Sequence, residues 1–401
     1  MGSARPLGPE APTSRLNRWL IGLLVALAVA GCTAVVTQSS ASRQAADFTF
    51  YYSAALLVRE GHPAAPYDQA HLAATISTVA PESGVDRRLP FNLPVGAILP
   101  LVPLTLLPLD LAFRSWQVIS LALLLFALLI FKRAYPLGRG SLALAALGLL
   151  ASVPAWSLLI EAQLTALVLL GSALLLAGLR TNAASVAFAG GLLLAVKPHF
   201  LPAYLVILLA VRHWRSILAA TAGAAAMLLS PLTAGGPPAM EAMVRNALST
   251  NGLVPVRLTE AWIGLLSIVL PVATVTLVSV ALYLAVLVLL SLAALHYRPD
   301  AAVPFAALAL SLGMLASPHV LPHDLLLLAG PAWLVFSLFR EGRIASPLPA
   351  LMLVELALLI DLRGVGIVLG PIAITMAVAW AIGSFRRRAD RHRSLIAAAA
   401  A

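Results

Sequence analysis

Long apolar runs, mostly Leu, Ala and Val, follow one another through most of this 401-residue chain. Hydrophobic residues make up 61% of the sequence and charged residues 10%, whereas about a quarter of a soluble domain is charged. A soluble fold cannot bury this much apolar surface, so the chain is predicted to lie in lipid. Backbone polar groups in hydrocarbon must be bonded within the protein, which leaves helices or a closed barrel. Because the runs are continuous and do not alternate, they exclude the barrel.

The sequence therefore predicts an all-α, polytopic integral membrane protein. At roughly 20 residues per span, about ten to twelve transmembrane helices fit the chain. We expect a multi-pass protein of a bacterial cell membrane. Its predicted parts are a disordered cytoplasmic tail at 1–15, one transmembrane domain at 16–384 with a large first external loop at 38–92, and a basic cytoplasmic tail at 385–401.

Two local elements are predicted after the first span. The stretch from Phe48 to Glu60 is expected to form an amphipathic helix at the membrane interface, ending before Gly61 and Pro63. The stretch from Leu93 to Pro108 holds four prolines and is expected to be a kinked or re-entrant piece.

The formal net charge of +10 is explained by topology. The arginines fall in short clusters between apolar runs, as the positive-inside rule describes for cytoplasmic loops. Nucleic acid is therefore not an expected partner, and the lipid bilayer is. The mixed polar residues between these clusters fall on the opposite, extracytoplasmic side.

A single cysteine, Cys32, excludes an internal disulfide. The segment Val29-Ala30-Gly31-Cys32 resembles a bacterial lipoprotein signal, which would make Cys32 a lipidation site. The apolar stretch continues through Val36, which favours an ordinary first span. Asp47 lies outside the membrane under either interpretation.

Asp47 is the most informative residue of the chain. It follows the first apolar run directly, within the aromatic segment Phe48-Thr49-Phe50-Tyr51-Tyr52. Ionisable groups near bilayer depth are costly and tend to mark functional sites. We therefore interpret Asp47 as a candidate general base, with an ordinary loop carboxylate as the alternative.

The segment Lys197-Pro198-His199 is a candidate anion site. An ammonium and an imidazole suit a phosphate, and a helix starting at Pro198 would add its N-terminal dipole. A lysine that merely reaches to the membrane surface from a span end is the alternative.

The turn from Ser317 to Asp324 is the densest polar segment of the C-terminal half. His319 and His323 form a His-x3-His pair, so a metal with Asp324 as third ligand, phosphate or sugar contact, and a structural turn all stay open. Pro318, directly before the pair, and Pro322, within it, oppose a regular helix between the two histidines.

The remaining candidates are polar or aromatic residues of the same external set. Glu161 and Gln163 are placed at the start of an external helix, where they cap the helix or bond sugar hydroxyls. Tyr51 and Tyr52 are either interfacial belt residues or a platform for a sugar ring. Arg257 is a further candidate contact for a phosphate.

Several motifs resemble, in order, those of glycosyltransferase family 87. They cover most of the chain from about residue 45 to 340: Asp47-Phe48-x-x-Tyr51-Tyr52-x-Ala54-Ala55, Tyr67-Asp68, Asn92-Leu93-Pro94, Trp116, Gln163, Gly190-Gly191 before Lys197-Pro198, and Ser317-Pro318 before His323. Ala162 departs from the pattern, because the family usually has glycine before this glutamine.

The resemblance implies a GT-C-type fold and inverting transfer of a sugar, often mannose, from a polyprenyl-phosphate donor to a glycolipid or glycan acceptor. It implies an extracytoplasmic site in which Asp47 is the base. Cations for the departing phosphate are then expected from this group: Lys197, His199, His319, His323 and Arg257. No cofactor is predicted, and a divalent metal is left open.

Two other classes of protein fit parts of this sequence. A transporter or flippase of a lipid-linked sugar would use the same cations without a base. A structural membrane subunit would bind no lipid phosphate. The gathering of mixed polar residues on one membrane face favours the transferase.

Overall fold

A computed structural model of the protein describes residues 13–81, 89–138, 140–250, 259–296 and 302–342. Within these ranges all regular structure is helical and no strand occurs, which confirms the predicted all-α fold. Arg257, residues 1–12 and the basic tail at 385–401 lie outside the described residues.

The α-helices connect through short turns. In chain order they are α1 (Thr13–Val36), α2 (Ser40–Gln44), α3 (Asp47–Arg59), α4 (Gln69–Val79), α5 (Leu109–Ala134), α6 (Ser141–Ala151), α7 (Val153–Glu161), α8 (Thr165–Thr181), α9 (Ala184–Leu194), α10 (Leu201–Ala210), α11 (Trp214–Leu228), α12 (Ser230–Thr250), α13 (Trp262–Leu266), α14 (Val272–His296), α15 (Ala302–Ala316) and α16 (Ala329–Arg340). Segments of 3₁₀ helix lie at Ala65–Tyr67, Val95–Leu106, Pro198–Phe200 and Pro322–Leu328.

The described part of the chain contains four helical stretches that are long and apolar enough to cross a membrane. They are Arg18–Val36, Leu109–Ala134, Ala273–His296 and Pro322–Arg340. Two bent pairs, α6 with α7 and α11 with α12, raise the number to six if each pair is one span. Shorter apolar helices fill the space between them, so the chain is a polytopic membrane protein.

Helix α3 confirms the helix predicted from Phe48 to Glu60, and neighbouring segments of the protein cover much of it. Phe48, Ala54 and Ala55 are fully buried, and the helix packs against α4 and the 3₁₀ segment Val95–Leu106. The small residues of its central turn let these neighbours approach closely. The helix is therefore covered by protein, and it does not lie alone at the surface.

The proline-rich segment adopts the irregular form that its sequence predicts. Pro100 and Pro103 lie inside the 3₁₀ stretch, where each removes a backbone donor that a regular α-helix would need. The N–H of Gly96 donates to the hydroxyl of Ser230 at 2.9 Å, which ties the segment to α12.

The polar residues of the protein gather at two opposite ends of its helices. Helix α8 has Thr165 at its first position and Arg180 in its last turn, about 22.5 Å away at 1.5 Å per residue. The guanidinium of Arg180 lies over the ring of Tyr135, directly after α5, at 5.3 Å from the ring centroid. Lys132 and Arg133 end α5 at the same place. Ser216, next to Arg215 in α11, donates to Asn182 Oδ1 after α8 at 2.9 Å, so Arg215 also lies at this basic end.

Candidate active site

Asp47 is the first residue of α3, and the turn that leads to it is anchored on both sides. Arg43 Nε lies 2.9 Å from Asp110 Oδ1 at the start of α5. Arg114 Nη1 donates to the carbonyl of Val35 at 2.7 Å, in the last turn of α1. An acidic residue in the first helical turn is also favoured by the helix dipole.

The carboxylate of Asp47 belongs to a hydrogen-bonded chain. The Gln163 amide donates through Nε2 to Asp47 Oδ2. The Tyr51 hydroxyl, one turn along α3 from Asp47, donates to Gln163 Oε1 at 3.1 Å. The backbone N–H of Asp47 donates to Glu161 Oε2 at 3.2 Å. Tyr51 thus orients the amide so that its NH₂ group faces Asp47.

A left-handed turn presents Gln163 to Asp47. Glu161 is the last residue of α7, and Ala162 follows with φ of +47°. Helix α8 begins only at Thr165, and no side chain caps it. The predicted position of Glu161 and Gln163 at a helix start is therefore wrong, because hydropathy alone does not reveal the turn. A left-handed conformation is least strained for glycine, which explains why the resembled pattern usually has glycine at this position, and Ala162 adopts it at some cost in backbone strain.

The cation side of the site is built around Lys197. Its ammonium Nζ lies 2.5 Å from Asp324 Oδ1 and 3.0 Å from His323 Nε2. The side chain of Lys197 is 11% exposed, and that of Asp324 is fully buried. Because a charged ammonium can only donate, His323 Nε2 must accept, so the ring is neutral and carries its proton on Nδ1.

The two sides of the site are joined by the start of α8. Thr165 Oγ1 donates to Asp324 Oδ1 at 3.0 Å, two residues after the glutamine that contacts Asp47. Burial raises the pKa of the Asp47 carboxyl, while the charge of Lys197 and the Gln163 hydrogen bond act in the opposite direction. Asp47 and Lys197 therefore lie at the two ends of one connected cluster, which runs through Gln163, Thr165 and Asp324.

His199 and His319 form a second layer beside Lys197. Their ring centroids lie 6.0 Å apart in an edge-to-face arrangement, and the ring of His199 lies 4.1 Å from that of Phe200. Burial lowers the pKa of His319, although Asp324 acts against this shift. A neutral His319 is a hydrogen-bond donor and not a second cation.

Tyr52 lies apart from this cluster. Its hydroxyl donates to the carbonyl of Leu107 at 2.9 Å, and its ring packs near that of Phe48. The side chains of Tyr51 and Tyr52 therefore lie in different surroundings, because adjacent residues on a helix point about 100° apart. Among the described residues, no group of three or more His, Cys, Asp or Glu side chains is placed to hold a metal ion.

The sequence does not predict Asp324 as the partner of Lys197; it suggests a metal ligand, a phosphate or sugar contact, or part of a structural turn. The charged residues of the sequence could have indicated this pairing. A lysine predicted near bilayer depth needs a counter-charge, and Asp324 is the acidic residue of the densest external turn.

Comparison with known proteins identifies one family. The model described as glycosyltransferase family 87 matches residues 91–322, which is more than half of the chain. The matched range contains Gln163, Lys197 and His319, whereas Asp47 precedes it and Asp324 follows it. No curated protein and no solved structure gives a significant match.

Proposed function

Since this chain belongs to glycosyltransferase family 87, we propose that it transfers a sugar from a polyprenyl-phosphate donor to a glycolipid or glycan acceptor, with mannose as the favoured sugar. The observation that carries the proposal is the cluster that joins Asp47, through Gln163 and Thr165, to Lys197. It offers a base and a cation side by side, as this transfer requires.

Asp47 acts as the general base. Within the described residues its Oδ2 is engaged by Gln163, whereas Oδ1 has no hydrogen-bond partner. In the proposed step, Oδ1 takes the proton of the acceptor hydroxyl as that oxygen attacks the anomeric carbon. The bond from that carbon to the phosphate oxygen breaks, and polyprenyl phosphate leaves with the electron pair. Attack opposite the leaving group inverts the anomeric centre.

Lys197 stabilises the departing phosphate. A lipid phosphate is an adequate leaving group without protonation, so the protein needs to supply positive charge and hydrogen-bond donors. Lys197 provides the charge. His323, His319 and His199 add neutral ring donors nearby, and the backbone that begins at Pro198 adds a helix N-terminus.

Tyr51, Gln163 and Glu161 hold Asp47 in place. Their hydrogen bonds run to one another and to Asp47, which supports a role around the base. We propose that contacts of Gln163 and Glu161 with sugar hydroxyls come in addition to this role. The hydrogen bond of Tyr52 to Leu107 favours a structural role for Tyr52.

The site is proposed to open at the extracytoplasmic face. Asp47 follows the end of α1, and the arginines gather about one membrane thickness away, at the opposite ends of α5 and α8. The positive-inside rule puts such a basic end in the cytoplasm. The donor would then be used at the outer leaflet.

Cysteine labelling tests this orientation. In a Cys32→Ser background, Ala41→Cys on α2 and Arg215→Cys near the basic end both introduce an exposed thiol. A membrane-impermeant maleimide is expected to label the Ala41 variant in intact cells and the Arg215 variant only after permeabilisation. The reverse pattern would place the site in the cytoplasm.

A transfer assay tests the function itself. Purified protein in liposomes receives polyprenyl-phosphate mannose labelled in the sugar, with a lipid and glycan extract of cells that lack the chain. The label is expected in a new glycosidic bond, with stoichiometric release of polyprenyl phosphate. A parallel arm with polyprenyl-phosphate glucose identifies the sugar. Passage of the label across the bilayer without a new bond would instead indicate a transporter.

A further inference from the structure

Asp324 accepts hydrogen bonds from two other groups of the protein besides the ammonium of Lys197. It is fully buried, and its two carboxylate oxygens accept from three separate segments of the chain. Oδ1 accepts from Lys197 Nζ at 2.5 Å and from Thr165 Oγ1 at 3.0 Å. Oδ2 accepts from the N–H of Leu321 at 3.1 Å. A buried charge is costly, so an arrangement that satisfies it this completely fixes the carboxylate in one orientation.

The contacts of Asp324 restrict the ammonium of Lys197. A lysine ammonium has three N–H donors on a flexible four-carbon stem. Within the described part of the chain, one N–H reaches Asp324 and another reaches His323 Nε2. These two bonds fix the direction of the third N–H, which is left for a ligand.

We propose that Asp324 is the positioning residue for Lys197, which rests on the proposed role of Lys197 in binding the donor phosphate. Asp324 holds the ammonium in place and supplies its counter-charge in a buried setting. Through Thr165 it also joins Lys197 to the turn that carries Gln163, and so sets the distance between the cation and Asp47.

Binding of sugar-free polyprenyl phosphate tests the proposal independently of turnover. Its dissociation constant is measured with purified protein in lipid nanodiscs for the wild type, Asp324→Asn, Lys197→Gln and the double variant. Asparagine has one acceptor oxygen and no charge, so it cannot serve both Lys197 and Leu321. Asp324→Asn is expected to weaken binding about tenfold or more. In the Lys197→Gln background the same substitution is expected to add less than about twofold, because the residue it acts through is absent.

Two further variants keep the test decisive. Thr165→Val leaves both charges in place and removes one hydrogen bond to Asp324, with an expected weakening of about two- to tenfold. Asp68→Asn, an exposed carboxylate that caps α4, is expected to bind like the wild type.

The outcomes separate this inference from its premise. Losses that multiply in the double variant, or wild-type binding by Asp324→Asn, would overturn the role of Asp324 and leave that of Lys197 intact. Wild-type binding by Lys197→Gln would overturn both. Weaker binding by Asp324→Asn and by Lys197→Gln, with no further loss in the double variant, supports the roles of both residues.

Discussion

Replacing Asp47 with asparagine is expected to lower the rate of sugar transfer by about 10²–10⁴-fold, the usual contribution of a positioned general base. Asparagine has nearly the same shape and can still hydrogen-bond to Gln163, but it cannot take a proton from the acceptor hydroxyl. The fold should therefore persist while the chemical step slows. The measurement is the initial rate of transfer from polyprenyl-phosphate sugar by the reconstituted protein.

Asp68→Asn is the matched control for this experiment. Asp68 is an exposed aspartate whose side chain accepts from the N–H groups of Ala70 and His71 at the start of α4. Asparagine caps a helix as well as aspartate does, so this variant should transfer sugar at the wild-type rate. Near wild-type transfer by Asp47→Asn would remove Asp47 from the role of base.

The pH dependence of the wild type gives a second measurement on the same residue. Burial raises the pKa of Asp47 above the ordinary value of 3.8, even though Lys197 and Gln163 pull it down. A base works only when ionised, so the rate should fall as the pH drops through this raised pKa. The acidic limb of the rate profile is therefore expected above pH 3.8 and should be absent from Asp47→Asn. An identical limb in both proteins would assign it to another group.

Replacing Lys197 with methionine is expected to destabilise the protein by about 3–5 kcal/mol, in addition to abolishing donor binding. The substitution preserves most of the apolar stem but leaves the fully buried Asp324 without its counter-charge. Breaking one half of a buried pair costs more than the pair itself contributes. Thermal unfolding in detergent measures the loss, and binding of polyprenyl phosphate measures the functional effect.

Two variants serve as controls for the lysine experiment. The double variant Lys197→Met with Asp324→Asn removes both charges and should recover most of the stability without recovering donor binding. Lys132, the only other lysine of the chain, lies in the last turn of α5, and Lys132→Met should change neither quantity. A Lys197→Met protein as stable as the wild type would show that Asp324 does not depend on its ion pair.

Residue chemistry and order alone point to several residues of the candidate site. Asp47 and Lys197 stood out because ionisable side chains near apolar runs are rare and costly. The geometry then separated Tyr51, which contacts Gln163, from Tyr52, which contacts Leu107. Composition does not show that two neighbouring residues of a motif face different surroundings, because this depends on how the helix directs their side chains.

The sequence did not predict the turn at Ala162 or the pairing of Asp324 with Lys197. A left-handed residue inside an apolar run leaves no trace in hydropathy, yet it decides that Glu161 ends one helix and that Gln163 faces Asp47. The partner of Lys197 lies 127 positions along the chain, where the sequence offered only a polar turn with several interpretations.

By itself the sequence determined the lipid surroundings and the all-helical class of this protein, because continuous apolar runs with few charges are stable only as helices in lipid. Only the tertiary structure decided which polar side chains meet. Hydropathy is a local property that each segment carries alone, whereas an ion pair or a hydrogen bond depends on how separate helices pack against one another.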